Sequence, residues 1–174
     1  MNSLDDTSAD AASMVAMCSL RAGTGLFGID TRQIREIVAS TATQPVPLAP
    51  PYIAGIVPYR GEVLTAVGLR TLLGLDSVNN ASCLIVLDEG ESDERFGLVV
   101  DGVGGVVMIE PDSLIPNPST LDARGLSLFD GAYALETGLM VRLDPKRLRP
   151  SRLKQSGMFG EIWPRQMVEA RCAR

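Results

Sequence analysis

Few residues in this chain belong to the types that catalysis or metal binding requires. The 174 residues include no histidine, which is the commonest general base and the commonest transition-metal ligand. Its absence excludes Ser-His-Asp centres, Cys-His centres and the zinc sites that use histidine. Cys18 and Cys83 lie in apolar, strand-like segments away from the third cysteine. We therefore predict buried thiols rather than nucleophiles, disulfides or zinc ligands.

Paired carboxylates could still act as a general acid and base. The candidates are Glu36, Glu62, Asp101 and Asp144, but no spacing places two of them facing each other on one element. We interpret them as caps, turn residues and members of ion pairs. The sequence thus predicts no catalytic residue, no metal site and no cofactor.

A glycine-rich segment at residues 101–105, Asp-Gly-Val-Gly-Gly, could cradle a phosphate group. That chemistry needs a helix N-terminus directly behind the glycines. The next residues, Val106 to Ile109, are apolar and predict a strand instead. We interpret the segment as a glycine-rich turn between strands.

Basic residues cluster near the C-terminal end of a chain whose net charge is −5. They are Arg142, Lys146, Arg147, Arg149, Arg152 and Lys154. Such a run could attract nucleic acid or an anionic membrane, but no aromatic side chain interleaves with it to stack on bases. We favour a solvated helix end and predict no nucleic-acid partner.

Short apolar segments separated by glycine and proline predict an all-β fold with short helices. Met14 to Asp30 is typical of a β-hairpin. A short helix is predicted over Arg32 to Val38, where Ile34, Ile37 and Val38 would share one face. Four prolines at residues 44–51 predict an extended edge segment.

Further strands are predicted in three blocks. They are Ile53 to Tyr59 with Glu62 to Val67; Ser82 to Asp88 with Arg95 to Val100 and Gly104 to Ile109, around an acidic tip at Glu89 to Glu94; and Gly131 to Leu135 with Leu139 to Leu143. The first and last blocks each end in a predicted helical turn, at 69–73 and 144–148. This recurrence suggests two similar barrel-like subdomains.

The ends of the chain differ in composition from the middle. Residues 1–13 are small and polar, which predicts a disordered leader. Residues 151–174 form a predicted tail, in which an apolar set around Trp163 suits a short docking helix. No apolar run is long enough to span a bilayer and the first residues lack a signal-peptide pattern. We therefore expect a cytoplasmic protein without direct membrane insertion.

The segment from Tyr52 to Val63, Tyr-Ile-Ala-Gly-Ile-Val-Pro-Tyr-Arg-Gly-Glu-Val, resembles the central signature of CheW-like domains. The resemblance continues in Leu26 to Asp30, Ile34 to Ile37 and Phe96 to Val103, and its order extends over 14–150. Two positions depart from the family pattern. Tyr59 stands where the turn motif usually has leucine, and Gly68 where an aspartate is usual.

This resemblance implies two intertwined, five-stranded, SH3-like barrels. It implies a non-catalytic adaptor that couples the cytoplasmic tips of chemoreceptors to a CheA-type histidine kinase, in association with membrane-bound receptor arrays. By the same resemblance, Ile34, Gly97 and Arg60 would contact the receptor and Glu36 would form an ion pair with Arg60. We further predict that the segment Gln44, Pro45 and Val46 meets the kinase, because an unpaired edge can be extended or covered by a partner.

Two alternatives stay open at the level of sequence. One is the same adaptor in a chemosensory pathway that controls pili or another output. The other is a small β-barrel enzyme or ligand sensor, which would require a deep polar pocket with converging titratable groups.

Overall fold

The computed structural model describes residues 14–39, 42–76, 83–88 and 94–157. These described residues form ten strands: β1 Val15–Ala22, β2 Gly25–Asp30, β3 Ile34–Ala39, β4 Ile53–Tyr59, β5 Glu62–Gly68, β6 Cys83–Leu87, β7 Phe96–Val100, β8 Gly102–Ile109, β9 Phe129–Leu135 and β10 Gly138–Leu143. The helices are α1 Leu69–Leu72, α2 Ala123–Leu128, α3 Pro145–Leu148 and α4 Pro150–Ser156, with 3-10 turns at Thr31–Gln33 and Pro111–Ser113. None of these described helices is long and apolar enough to cross a membrane.

The strands form two five-stranded sheets. The central sheet has the order β3-β6-β7-β5-β4, and the terminal sheet has the order β8-β1-β2-β10-β9. Because the terminal sheet combines strands from both ends of the chain, the central sheet is inserted into it. The predicted β-rich fold is confirmed, although no hydrogen-bonded ladder joins the outer strands of either sheet within the described residues. By hydrogen bonding, both sheets are open.

The recurrence seen in the sequence is also visible in the topology. In the central sheet, β5 is antiparallel to β4 and parallel to β7. In the terminal sheet, β10 is antiparallel to β9 and parallel to β2. A short helix follows the second strand each time, α1 after β5 and α3 after β10. The N-terminal hairpin β1–β2 therefore completes the terminal sheet as β6–β7 completes the central sheet.

Three clusters of buried apolar side chains stabilise this arrangement. A large shared core contains residues of both sheets, including Leu20, Ile29, Phe96 and Leu98. A second cluster contains central-sheet residues such as Leu84, and a third lies on the terminal sheet around Met140. The shared core makes the two sheets one structural unit.

The helix predicted over Arg32 to Val38 is wrong, because Ile34–Ala39 is strand β3. Side chains alternate along a strand, so Ile34 and Val38 are half-buried while Ile37 is 44% exposed. β-branched residues favour this extended conformation. Pairing with β6 supplies the partner that the local sequence does not show.

The glycine-rich turn predicted at 101–105 is also corrected, because β8 already begins at Gly102. Gly102 pairs with Arg21 of β1, and Gly104 and Gly105 lie at the register shift opposite Cys18 to Leu20. At the other end of the chain, α4 begins the predicted tail and places Leu153 in the shared core. The leader, most of the acidic tip and the residues around Trp163 lie outside the described residues.

Candidate partner-binding surface

The candidate surface is organised by the tight turn between β4 and β5. Arg60 and Gly61 form this two-residue turn, and both have positive φ, 49° and 83°. Two positive φ values are typical of a type I′ turn, which matches the twist of a hairpin. The turn places the Arg60 guanidinium 5.3 Å from the centre of the Tyr59 ring, within the range of a cation–π contact.

Glu36 receives two hydrogen bonds at the same oxygen. The Tyr59 hydroxyl donates to Glu36 Oε2 at 2.6 Å, and Arg60 Nη2 donates to it at 2.8 Å. Arg60 therefore contacts the carboxylate through one nitrogen and not bidentately. The side chains of Arg60 and Glu36 are 66% and 36% exposed, which places the pair at the surface. Glu36 lies on strand β3 rather than on a short helix.

These contacts shift two pKa values in opposite directions. Hydrogen bonding from the Tyr59 hydroxyl, followed by the positive charge of Arg60, lowers the pKa of Glu36, although desolvation opposes this. The hydrogen bond to Glu36 and desolvation raise the pKa of Tyr59. Each shift favours a neutral phenol beside an ionised carboxylate. The three side chains Glu36, Tyr59 and Arg60 are called the turn triad below.

An ion-pair network continues from the turn triad across the central sheet. Arg35 Nη1 lies 2.8 Å from Asp88 Oδ2, and the hydrogen bond to Asp88 is the main cause of the raised pKa of Arg35. Arg95 lies 3.4 Å from Asp88 and 2.8 Å from Glu62. The network runs from β3 through Asp88, just after β6, and Arg95, just before β7, to Glu62 at the start of β5. It gives this face an ordered alternation of charge that a partner can recognise.

The two other residues expected at the receptor surface have different environments. Ile34 begins β3, is half-buried and packs against the shared core. Gly97 is buried in β7, and a Cβ atom there would lie 2.5 Å from Leu84 Cδ1. The group that approaches Gly97 within the chain is thus Leu84. A receptor contact at Gly97 remains a prediction.

The segment expected to meet the kinase lies against the outer strand of the central sheet. Gln44 forms an isolated antiparallel bridge with Ile56 through two hydrogen bonds of 2.9 Å. Pro45 and Val46 are exposed, and the chain then turns at Pro47-Leu48. The bridge ties the start of this segment to β4 and leaves Gln44, Pro45 and Val46 exposed.

Leu48 belongs to this surface and was missed in the sequence analysis. It is fully exposed and has a φ of 62°. A leucine at positive φ is strained, and an exposed leucine gains nothing from burial. The signal in the sequence is the order Val-Pro-Leu-Ala, in which leucine occupies the turn position that glycine or asparagine normally takes. Together, Gln44, Pro45, Val46 and Leu48 are called the edge segment below.

No group of three or more His, Cys, Asp or Glu residues within the described part of the chain could hold a metal ion. Cys18 is buried, and desolvation raises the pKa of its thiol, which disfavours the reactive thiolate. The ordered polar groups lie instead on open surfaces.

These observations define a class of protein: a β-sheet module with a charged turn and an exposed apolar edge segment on its surface. The chain belongs to the CheW-like domain family, whose model matches residues 16–152. The similarity covers nearly all of the described residues.

Individual relatives agree with this assignment. A protein named chemotaxis protein CheW from Treponema pallidum (strain Nichols) is 23% identical over 142 residues, 78% of this chain and 82% of that protein. Another of the same name from Rhizobium meliloti (strain 1021) is 24% identical over 140 residues, 80% and 90% of the two chains. The crystal structure of the scaffolding protein TtCheW from Thermoanaerobacter tengcongensis shares the fold, with a TM-score of 0.66, 21% identity, and coverage of 75% and 89%.

Proposed function

We propose that this chain is a non-catalytic adaptor that couples chemoreceptors to a CheA-type histidine kinase. The observation that carries the proposal is the match of the CheW-like family model across residues 16–152. Under this proposal the chain works in the cytoplasm, held at membrane-bound receptor arrays. Its two sheets act as the paired SH3-like barrels implied by the resemblance.

The receptor contact is proposed at the turn triad and the start of β3. Arg60 is 66% exposed and points its guanidinium at Glu36, so both charges are accessible to a receptor helix. Ile34 adds a half-buried apolar side chain on the same strand as Glu36. Gly97 would support this surface indirectly, because its missing Cβ leaves room for the Leu84 side chain packed against it.

The kinase contact is proposed at the edge segment. Val46 and Leu48 are 39% and 104% exposed, and adjacent exposed apolar side chains mark a site of protein–protein contact. The bridge from Gln44 to Ile56 holds these side chains in place. A kinase domain would therefore contact two exposed apolar side chains that are already held in position.

Co-sedimentation tests this function directly. The full chain is mixed with a membrane-anchored receptor cytoplasmic fragment, with a CheA-type kinase that is pelleted through a tag, and with both together. We expect the chain to join each pellet and to increase the kinase found with the receptor. A chain that joins neither pellet would exclude the adaptor function while leaving the fold assignment intact.

Charge reversal separates the receptor surface from general electrostatics. Arg60→Glu should abolish joining of the receptor pellet and leave joining of the kinase pellet unchanged. Arg21→Glu is the matched control, because Arg21 is an exposed residue of β1 in the terminal sheet and the change in net charge is identical. Equal loss in both variants would contradict a receptor contact at the turn triad. Ile34→Asp is less suitable, since Ile34 also packs against the shared core.

A further inference from the structure

An open cavity lies where the last helices meet the end of α2. Its volume is about 650 Å³, and its lining includes Leu126, Ser127, Arg147, Arg152, Leu153 and Gln155. A neighbouring cavity of about 400 Å³ shares Arg147, Arg152 and Gln155 and adds Lys146, Arg149 and Ser151. The two together are called the α3–α4 cavity. None of these lining residues is acidic.

The cations of this cavity fall into two groups. Arg147 is held in place, because its guanidinium lies 2.5 Å from Asp130 Oδ1 and donates to the carbonyl oxygens of Leu126 and Phe129 at 3.0 and 3.1 Å. Lys146 and Arg152 are exposed and form no ion pair within the described part of the chain. The cavity therefore presents positive charge that its own acidic neighbours leave uncompensated.

The rim already binds one carboxylate. Glu94 accepts a hydrogen bond from the Ser151 backbone N–H at 3.1 Å and another from the Ser151 hydroxyl. This contact shows that an acidic side chain fits beside α4. Both of these hydrogen bonds come from Ser151, and the side chains of Lys146 and Arg152 are exposed beside it.

The basic residues of this cavity belong to a basic segment of an otherwise acidic chain. Residues 142–154 contain six basic residues and one acidic residue, within a chain whose net charge is −5. The remaining residues therefore carry a net charge of −10. A local positive surface on an acidic protein favours anionic partners.

We propose that the α3–α4 cavity is a docking site for an acidic peptide segment of a protein partner. The cations are spread over two helices rather than converging on one point, which suits several carboxylates in sequence. Leu126, at 45% exposure, offers an apolar contact that a simple anion could not use. No aromatic side chain is among the described lining residues, so a nucleic acid would find no stacking platform. The site shares no residue with the turn triad or the edge segment and rests on no step of the adaptor role.

An NMR titration of the full chain tests the proposal with a defined probe, the peptide Glu-Leu-Glu-Glu-Leu-Glu with blocked ends. We expect amide shifts concentrated in α3, α4 and the end of α2, weakening steeply as salt is raised. The isosteric peptide Gln-Leu-Gln-Gln-Leu-Gln should bind at least about tenfold more weakly. Absence of shifts with the acidic peptide, or equal binding of both peptides, would overturn the proposal.

Two variants locate the site. Arg152→Glu should reduce affinity for the acidic peptide at least about fivefold, the size expected for reversing one charge at an exposed contact. Lys154→Glu changes the net charge equally on the same helix but lies outside the cavity lining, so affinity should change less than about twofold. Equal losses of peptide affinity in the two variants would show that the peptide responds to the overall charge of the protein, and would contradict a defined site.

Other anions are tested in the same way. Binding of pyrophosphate or of phosphatidylglycerol vesicles in place of the peptide, with the same loss in Arg152→Glu, would assign the cavity to another anion and overturn the peptide proposal.

Discussion

At the scale of single residues, Glu36 controls the geometry of the turn triad. One of its oxygens accepts from both Tyr59 and Arg60, so the carboxylate fixes the position of the guanidinium over the Tyr59 ring. Exposed ion pairs contribute little to folding, and this pair is largely exposed. The ion pair therefore orients the Arg60 side chain more than it stabilises the fold. Tyr59 adds a hydrogen bond that a leucine at this position could not form.

Tyr59→Phe should raise the pKa of Glu36 toward the ordinary glutamate value, because the hydroxyl is the largest cause of the lowered value. A lowered folded-state pKa stabilises the fold above the ordinary carboxyl pKa, and this stabilisation is lost as pH falls through the folded-state pKa. The variant should therefore show less loss of stability on acidification. The Glu36 carboxyl ¹³C shift measures the pKa directly. The pKa of Asp30, lowered by Arg32, should stay unchanged, and an unchanged Glu36 pKa would contradict the assigned cause.

Leu48→Asn should stabilise the fold and weaken kinase binding at the same time. Asparagine tolerates the left-handed conformation at φ 62°, so relief of strain should add about 1 kcal/mol to the free energy of unfolding. The exposed apolar side chain is lost, so the proposed kinase contact weakens. Urea unfolding and kinase co-sedimentation measure the two effects. Stabilisation with undiminished binding would remove Leu48 from the kinase surface.

At the scale of elements, the sequence predicted the strands that end in recognisable turns. The hairpin β4–β5 is an example, since Arg60-Gly61 defines both its register and its turn. Strand β3 was predicted as a helix because the spacing of its apolar residues fits both a helix and a strand. Only pairing with β6, which is distant in sequence, decides for the strand. Helix α2 was not predicted at all: its cap, Asp122 accepting from the Gly125 N–H at 2.7 Å, is a weak local signal.

The candidate site also combines features that the sequence predicted with features that only the tertiary structure shows. Arg60 and Glu36 could be placed from a motif, whereas the common acceptor oxygen and the role of Tyr59 depend on how β3 and β4 lie in space. The burial of Gly97 against Leu84 is likewise a tertiary fact. Sequence patterns identify which residues matter more readily than they identify what those residues touch.

Gly55→Ala should displace the edge segment. Gly55 has a φ of 148°, and a Cβ atom there would lie 2.4 Å from the Gln44 carbonyl oxygen. The collision and the strain together should cost about 1–3 kcal/mol of stability and weaken kinase binding.

Gly131→Ala is the matched control for this change. Gly131 has a φ of 150°, and its Cβ would lie 2.4 Å from the Ile115 carbonyl oxygen in the terminal sheet. Its stability loss should be similar, with kinase co-sedimentation retained. Equal loss of kinase binding in both variants would show that instability, and not the edge segment, is responsible.

Truncation separates the structural part of the tail from the rest. Cutting after Gly157 keeps α4, and cutting after Pro150 removes Leu153, which is 3% exposed in the shared core. We expect the shorter chain to lose about 2–5 kcal/mol, the loss typical for deleting a buried leucine side chain, and Leu153→Ala in the full chain to lose a similar amount. Denaturant unfolding measures both. Equal stability of the two truncated chains would mean that α4 is dispensable, as the sequence pattern alone predicts.

At the scale of the whole molecule, the chain path ties the two sheets together. The central sheet is inserted into the terminal sheet, and among the described residues the shared core contains 18 buried residues against 6 and 4 in the two smaller clusters. A polar clamp adds to this: Asp101 Oδ2 accepts from Arg70 Nη1 at 2.6 Å and from the Gly23 N–H at 2.7 Å. Arg70 follows the central sheet in α1, and Gly23 lies in the first turn of the terminal sheet. Asp101 thus connects the two sheets through side-chain hydrogen bonds in addition to the shared core.

Because neither smaller cluster is large enough to support a domain alone, we expect the two sheets to unfold in one cooperative transition. Leu84→Ala is the informative variant, since Leu84 is 1% exposed and belongs to the cluster of the central sheet. It should lower the free energy of unfolding by about 2–5 kcal/mol. Native-state hydrogen exchange should show this loss equally for the slowest amides of β4–β5 and of β9–β10. Met140→Ala, in the terminal-sheet cluster, should likewise lower the hydrogen-exchange protection of the β4–β5 amides in the central sheet. If Leu84→Ala instead lowered protection in the central sheet alone, the sheets would be separate folding units, and partners bound to one sheet could not be coupled to the other through a rigid core.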